Sequence, residues 1–134
     1  MNGSMTVSIC CLTYNHEKYI RQCLDGLIMQ KTEFDFEILV HDDASSDATQ
    51  SIINEYVVAY PNLIKPILQI RNQYSQGISP LRQILFPLVK GKYVALCEGD
   101  DYWTDPLKLQ KQVDFLENHP DYSLCCCLLY TSDA

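Results

Sequence analysis

Three carboxylates fall within four positions in the stretch CEGDDYW: Glu98, Asp100 and Asp101. Adjacent carboxylates repel one another and raise each other's pKa unless a cation or a hydrogen-bond donor compensates. The chain already carries a net charge of -7, so this added concentration of negative charge calls for a partner. Hard oxygen donors of this kind suit magnesium or manganese, and the chemistry expected at this point is the holding of a divalent cation.

Two other polar stretches have the same setting, each directly after an apolar run: Thr13 to Asn15 (TYN) and His41 to Asp47 (HDDASSD). Simple structural roles compete with ligand binding in both. Asp47 has the position of a helix cap, Asp105 before Pro106 that of a helix-start residue, and Asp42 or Asp43 could close an Asx turn. Capping is the expected role for Asp47 and Asp105, whereas ligand binding is expected for Asp43, Asp100 and Asp101. His16, His41 and His119 are scattered at unrelated spacings and suggest no histidine metal site.

The elements that must position these residues alternate in type. TVSICCLTY is a short β-branched apolar run, and YIRQCLDGLIMQ after it places Ile20, Cys23, Leu24, Leu27 and Ile28 at helical spacing. FEILVHDD repeats the strand pattern, and SSDATQSIINEYVVAY the helical one, ending at Pro61. LIKPILQI reads as a third strand, in which Pro66 argues for an edge position. SPLRQILFPLVKG predicts a third helix, with Pro80 tolerated in its first turn and Pro87 kinking or shortening it. KYVALCE is the fourth strand, PLKLQKQVDFLENH the fourth helix and YSLCCCLLY a final strand.

Strands that alternate with helices in this way predict right-handed βαβ crossovers and an α/β, Rossmann-like three-layer αβα architecture with a mostly parallel sheet. In such sheets ligands bind at the carboxyl ends of the strands, near the point where strand order reverses. TYN, HDDASSD and EGDD all follow strands and therefore fall on one edge. No repeat or linker interrupts the pattern, so residues 1–134 are expected to form a single domain.

VSICCLTYN, FEILVHDDASSDAT, NQYSQG and LRQILFPLVKGKYVALCEGDDYWTDPLKLQKQVDFL occur in an order and style that resembles the inverting family 2 glycosyltransferases, which have the A-type nucleotide-sugar-binding fold. The resemblance runs from about Thr6 to about Leu124, and the four motifs together are far more specific than any one of them. It implies that the strand-one segment and the second Asp of the strand-two motif hold the nucleotide base, matching Thr13, Tyr14 and Asp43. It implies that Arg82 approaches the nucleotide, and that Asp100 with its neighbour Asp101 binds the ribose and the metal bridging the diphosphate. The implied activity is metal-dependent, inverting transfer of a sugar from a nucleotide-diphosphate sugar, with a UDP-sugar the expected donor, to a saccharide or lipid-linked acceptor in polysaccharide or glycolipid synthesis. The implied cofactor is a divalent cation, Mn or Mg, and peripheral membrane association of the full-length protein is compatible with such a role.

Several positions depart from the family pattern. Leu12 stands where Pro is common, Gln83 follows Arg82 where Asn is frequent, and Glu98 stands where the acidic motif often begins with Asp, which leaves its contact with ligand open. Family members continue past a fifth strand into the half that binds the acceptor, so the general base is expected beyond the C-terminus and no catalytic residue is assignable here. The ending LLYTSDA resembles translated adapter read-through, which marks residues 128–134 as a candidate non-native segment. Two alternatives stay open. One is a non-catalytic nucleotide-sugar-binding fragment. The other is a receiver-like magnesium-binding phosphoacceptor domain, disfavoured because no basic residue follows YSLCCC.

Composition narrows the classes further. Seventeen acidic against 10 basic residues, without a basic run, give no footprint for a phosphate backbone, so nucleic acid is not an expected partner. The start of the chain lacks the charged and apolar regions of a signal peptide, and no apolar stretch approaches bilayer length, so a soluble, cytoplasmic protein is expected. The seven cysteines lie mostly in apolar runs without CxxC spacing, and buried free thiols are expected of them.

Overall fold

The computed structural model describes residues 4–123. The expected final strand in YSLCCCLLY, Cys125 to Cys127 and residues 128–134 lie outside the described residues, apart from the first two residues of that stretch. The chain runs β1 (Val7–Thr13), α1 (Ile20–Ile28), β2 (Phe36–Asp42), α2 (Thr49–Ala59), β3 (Ile64–Leu68), β4 (Tyr93–Glu98) and α3 (Lys108–Asn118). The strands form a parallel sheet in the order β3-β2-β1-β4, which agrees with the alternation of strand and helix patterns in the sequence. The step from β3 across to β4 reverses the direction in which strands are added, so the switch point lies between β1 and β4. Pro66 is accommodated because β3 is an edge strand, where its missing N–H breaks no ladder between central strands.

Alternation along the strands sorts two apolar layers. Val7, Ile9 and Cys11 of β1, Ile38 and Val40 of β2 and Cys97 of β4 pack with Ile20, Leu24 and Leu27 of α1, Ile53 of α2 and Leu109 of α3. On the opposite face Cys10 and Leu39 meet Leu85, with Leu81 and Val89 against them. That second layer corrects the expected third helix. Residues Pro80–Leu85 form a wide π-type turn and Phe86–Leu88 a 3-10 turn, in place of a continuous α-helix. Pro87 lacks the N–H that an α-helical bond to Gln83 would need, so the helix cannot extend through it. The start is well made, since Ser79 Oγ accepts from Arg82 N at 3.3 Å and Gln83 Oε1 accepts from Ser79 N at 2.6 Å.

Two buried polar groups without a sequence motif fix the frame. Glu37 is buried in β2, where it accepts from Ser8 Oγ at 2.6 Å and from Lys90 N at 3.2 Å, and Lys65 Nζ stands 3.6 Å away. Gln30, just after α1, donates to the Asp105 carbonyl at 2.8 Å and accepts from Leu109 N at 3.0 Å, which anchors α3 and the segment leading to it. Gly26 lets that segment approach, because a Cβ there would lie 2.6 Å from the Trp103 carbonyl oxygen.

Candidate functional site

Register places the three polar stretches together. Thr13 pairs with Asp42 and Leu12 with Glu98, so β1, β2 and β4 end at the same level of the same edge. Two hydrogen bonds continue the ladder past the strands, Asp43 N to the Thr13 carbonyl at 3.0 Å and Gly99 N to the Leu12 carbonyl at 2.8 Å.

At the ends of β1 and β2 the loops are stitched to each other. Asp42 is fully buried and accepts from Thr13 Oγ1 at 2.6 Å, Ser45 N at 2.9 Å, Ser45 Oγ at 2.5 Å and Gln50 Nε2 at 2.8 Å. Asn15 N donates to Ser45 Oγ at 2.8 Å, and Asn15 Oδ1 accepts from Ser46 N at 2.8 Å. Asn15 and Ala44 both adopt left-handed backbone, with φ of 53° and 63°, which turns each chain back toward the other. Asp47 caps Thr49 N at 2.9 Å and also accepts from Glu17 N at 3.2 Å. It therefore does more than the capping expected of it, because it bridges the two loops. Desolvation alone would raise the Asp47 pKa, but the hydrogen bonds from Thr49 and Glu17 outweigh it and hold the carboxyl below its ordinary value. His41, buried beneath the same edge, is pushed below its ordinary pKa by desolvation, against the opposing pull of Asp43 and Asp42.

The residues matched to nucleotide binding occupy different depths. Thr13 is buried below the edge and supports Asp42 through its hydroxyl. Tyr14 projects with about half its surface exposed. Asp43 is nearly buried, and its carboxylate accepts from Gln73 N at 2.6 Å and Tyr74 N at 3.0 Å, so it clamps the loop that carries NQYSQG. A carboxylate has about four acceptor positions, so these two bonds leave capacity for a ligand donor. Arg82 is exposed in the turn that covers the second face of the sheet.

The β4 end is built differently. Glu98, Asp100 and Asp101 are all exposed. Asp101 N donates to the Glu98 carbonyl at 2.9 Å, while Asp101 Oδ1 accepts from Tyr102 N at 2.8 Å. Asp100 Oδ2 faces His16 Nε2 at 4.0 Å. Sequence reasoning set His16 aside because its spacing to the other histidines carries no pattern. The usable signal was its place in the loop directly after TYN. Asp105 behaves as the expected helix-start residue, accepting from Leu107 N at 2.9 Å and pairing with Lys111 at 2.7 Å. The described cysteines are buried and free, and burial followed by the charge of Glu37 pushes the Cys10 thiol up to about 11.

A parallel α/β sheet with acidic and aromatic side chains at the carboxyl ends of its strands defines a doubly wound class of fold that binds its ligands at that edge. The comparisons specify it. The sequence matches the family described as Glycosyl transferase family 2 over residues 8–134, and the chain belongs to that family. An uncharacterized protein of Mycobacterium tuberculosis is 50% identical over 119 residues, covering 89% of this chain and 34% of that protein. The Escherichia coli UDP-Glc:alpha-D-GlcNAc-diphosphoundecaprenol beta-1,3-glucosyltransferase WfaP is 32% identical over 111 residues, covering 83% of this chain and 41% of WfaP. The crystal structure of S. aureus TarS in complex with UDP matches with a TM-score of 0.71 at 30% identity, covering 87% of this chain and 33% of that one. The TarS complex with UDP-GlcNAc matches with a TM-score of 0.72 at 29% identity, covering 87% and 32%. The fold is thus the A-type glycosyltransferase fold, and the chain spans about a third of the length of its mycobacterial relative.

Proposed function

We propose that the protein is a metal-dependent, inverting glycosyltransferase that takes a sugar from a nucleotide-diphosphate sugar and passes it to a saccharide or lipid-linked acceptor. The observation that carries this reading is the convergence of Tyr14, Asp43, Asp100 and Asp101 on one sheet edge, beside the switch point. Uridine is the favoured base, because TarS was solved with UDP and UDP-GlcNAc and the name of WfaP specifies UDP-Glc. The diphosphoundecaprenol in that same name favours a lipid-linked acceptor.

In this reading Tyr14 lays its exposed ring against the base, and Asp43 accepts a hydrogen bond from a base N–H while its other contacts keep the 72–75 loop in place. Arg82 approaches the nucleotide from the turn after Ser79. Asp100 meets the ribose and, with Asp101, a divalent cation. The donor set bears on the cation directly: among the described residues no group of three or more His, Cys, Asp or Glu converges as a complete metal site. Two adjacent exposed carboxylates fit a magnesium or manganese ion only as part of a shell, with diphosphate oxygens supplying further ligands. Bound there, such an ion would neutralise charge growing on the leaving diphosphate. No carboxylate of the described residues is assigned as general base, and the role proposed for the residues named here is donor binding.

Metal and nucleotide affinity should therefore be coupled reciprocally, each tightening the other by roughly 5- to 150-fold. Calorimetric titration of UDP with and without manganese, on the parent and on Asp101→Asn, tests this. The expected result is manganese-dependent tightening in the parent, its loss in the variant, and unchanged binding of metal-free uridine in both. UDP binding that ignores manganese in the parent would remove the role given to Asp100 and Asp101.

A further inference from the structure

His16 stands where the two halves of the site meet. Its backbone is held on both sides: its N–H donates to Thr49 Oγ1 at 2.9 Å, and its carbonyl accepts from Tyr19 N at 2.9 Å and Ile20 N at 2.8 Å. The Tyr14 N–H points at Nδ1 from 3.4 Å. An Nδ1 that accepts puts the proton of the neutral ring on Nε2, the nitrogen that lies 4.0 Å from Asp100 Oδ2. The His16 side chain is 21% exposed against 53% for Asp100, so the ring is the more fixed of the two partners. Gly99 admits that ring, because a Cβ there would lie 2.6 Å from His16 Nδ1 and 2.8 Å from Thr13 Cγ2. An exposed carboxylate next to a second one has no internal preference for pointing into the site. At 4.0 Å the Nε2–H is beyond direct hydrogen-bond range of Oδ2, and a turn of the exposed Asp100 side chain toward this fixed donor would supply that preference, as outer-shell donors do for carboxylates that meet metals.

We propose that His16 is a positioning residue for Asp100: its Nε2–H takes the Asp100 carboxylate as hydrogen-bond partner when that side chain turns to meet a cation and diphosphate, and residue 99 is glycine because the His16 ring and the Thr13 side chain occupy the space of a side chain. The role rests on the donor-binding reading above. The rigid β1–α1 junction thereby sets the geometry of the acidic β4 end, which has few bonds of its own.

The test measures the manganese-dependent tightening of UDP binding on the 134-residue chain, with metal-free uridine affinity and a thermal melt as controls. His16→Ala should cut the tightening by about tenfold and leave uridine affinity within about twofold. His16→Gln, whose amide N–H can reach the place of Nε2, should restore most of it, which a purely structural role would not predict. Gly99→Ala keeps the imidazole but presses on both it and Thr13, and should lower the tightening while the melt and the uridine affinity report any separate effect through Thr13; if His16→Ala fails to fold, His16→Gln carries the test with Gly99→Ala beside it. A parent that shows tightening, with His16→Ala and Gly99→Ala both unchanged and Asp100→Asn defective, overturns the His16 role alone. A parent without tightening overturns this role together with the reading on which it rests.

Discussion

The ends of β1 and β2 differ from the end of β4 in what completes them. At the first, almost every polar group has a protein partner: Asp42 takes four donors, Asn15 and Ser46 bridge loops, and Asp47 ties Glu17 to α2. At the second, Glu98, Asp100 and Asp101 face outward, with local turn bonds and one histidine nearby. A neutral base needs a wall shaped in advance, since its affinity comes from fitted contacts. A cation with a diphosphate brings strong charge of its own, and carboxylates awaiting it must stay reachable. The region that spends its polar groups on itself is a scaffold, and the region that withholds them is where charged ligand chemistry is expected.

The largest expected effect separates the two regions by stability. Asp42→Ala leaves the Thr13 hydroxyl, both Ser45 donors and the Gln50 amide without their buried acceptor, and should cost about 3 kcal/mol in urea unfolding, since a lost network exceeds a single bond. Asp100→Ala removes an exposed charge beside another charge and should change stability by no more than about 0.5 kcal/mol. Comparable losses from both would break the contrast between scaffold and charged edge.

Asp43 lies between these extremes and sharpens the comparison. Its carboxylate is committed to Gln73 N and Tyr74 N, yet it is also the residue expected to meet the base. Asp43→Ala should weaken metal-free uridine binding by roughly 1 to 3 kcal/mol. The same substitution should leave the fold gain from manganese largely intact, because the β4 end is untouched. Equal uridine affinities would make Asp43 a loop clamp and nothing more.

Much of the sheet was legible in the sequence, because apolar strand runs alternate with helices whose buried positions follow the 3.6-residue period. Ile20, Leu24 and Leu27 are examples, and Pro66 marked its edge strand. The misread element was Pro80 to Leu88, where the apolar spacing is helical but Pro87 removes the bond that an α-helix would need. The candidate positions were legible as polar punctuation after strands. Their division of labour was not, since the sequence shows two adjacent aspartates while only the fold shows that Asp42 points into a buried hub and Asp43 toward the 72–75 loop. Glu37 and Gln30 carry no local pattern, and His16 only its place after TYN, because their partners Ser8, Asp105 and Asp100 are brought to them only by the tertiary fold.

The smallest expected effect probes how far the scaffold side is built for shape. Ala44 holds φ at 63°, a left-handed conformation in which a Cβ costs about 1 to 2 kcal/mol, at the turn between the buried hub and the Asp47 bridge. Ala44→Gly removes that cost but adds about 0.5 to 1 kcal/mol of backbone entropy lost on folding. The net change should be a gain of between about 0 and about 1.5 kcal/mol in urea unfolding, without a change in UDP affinity, since the turn keeps its path. Gly77, with φ of 79°, offers the reverse case in the loop that Asp43 clamps, and Gly77→Ala should lose up to about 1.5 kcal/mol. If Ala44→Gly instead weakens uridine binding, the scaffold depends on the restriction of that one residue, and the left-handed alanine is part of how the β2 end keeps Asp43 aimed at the base.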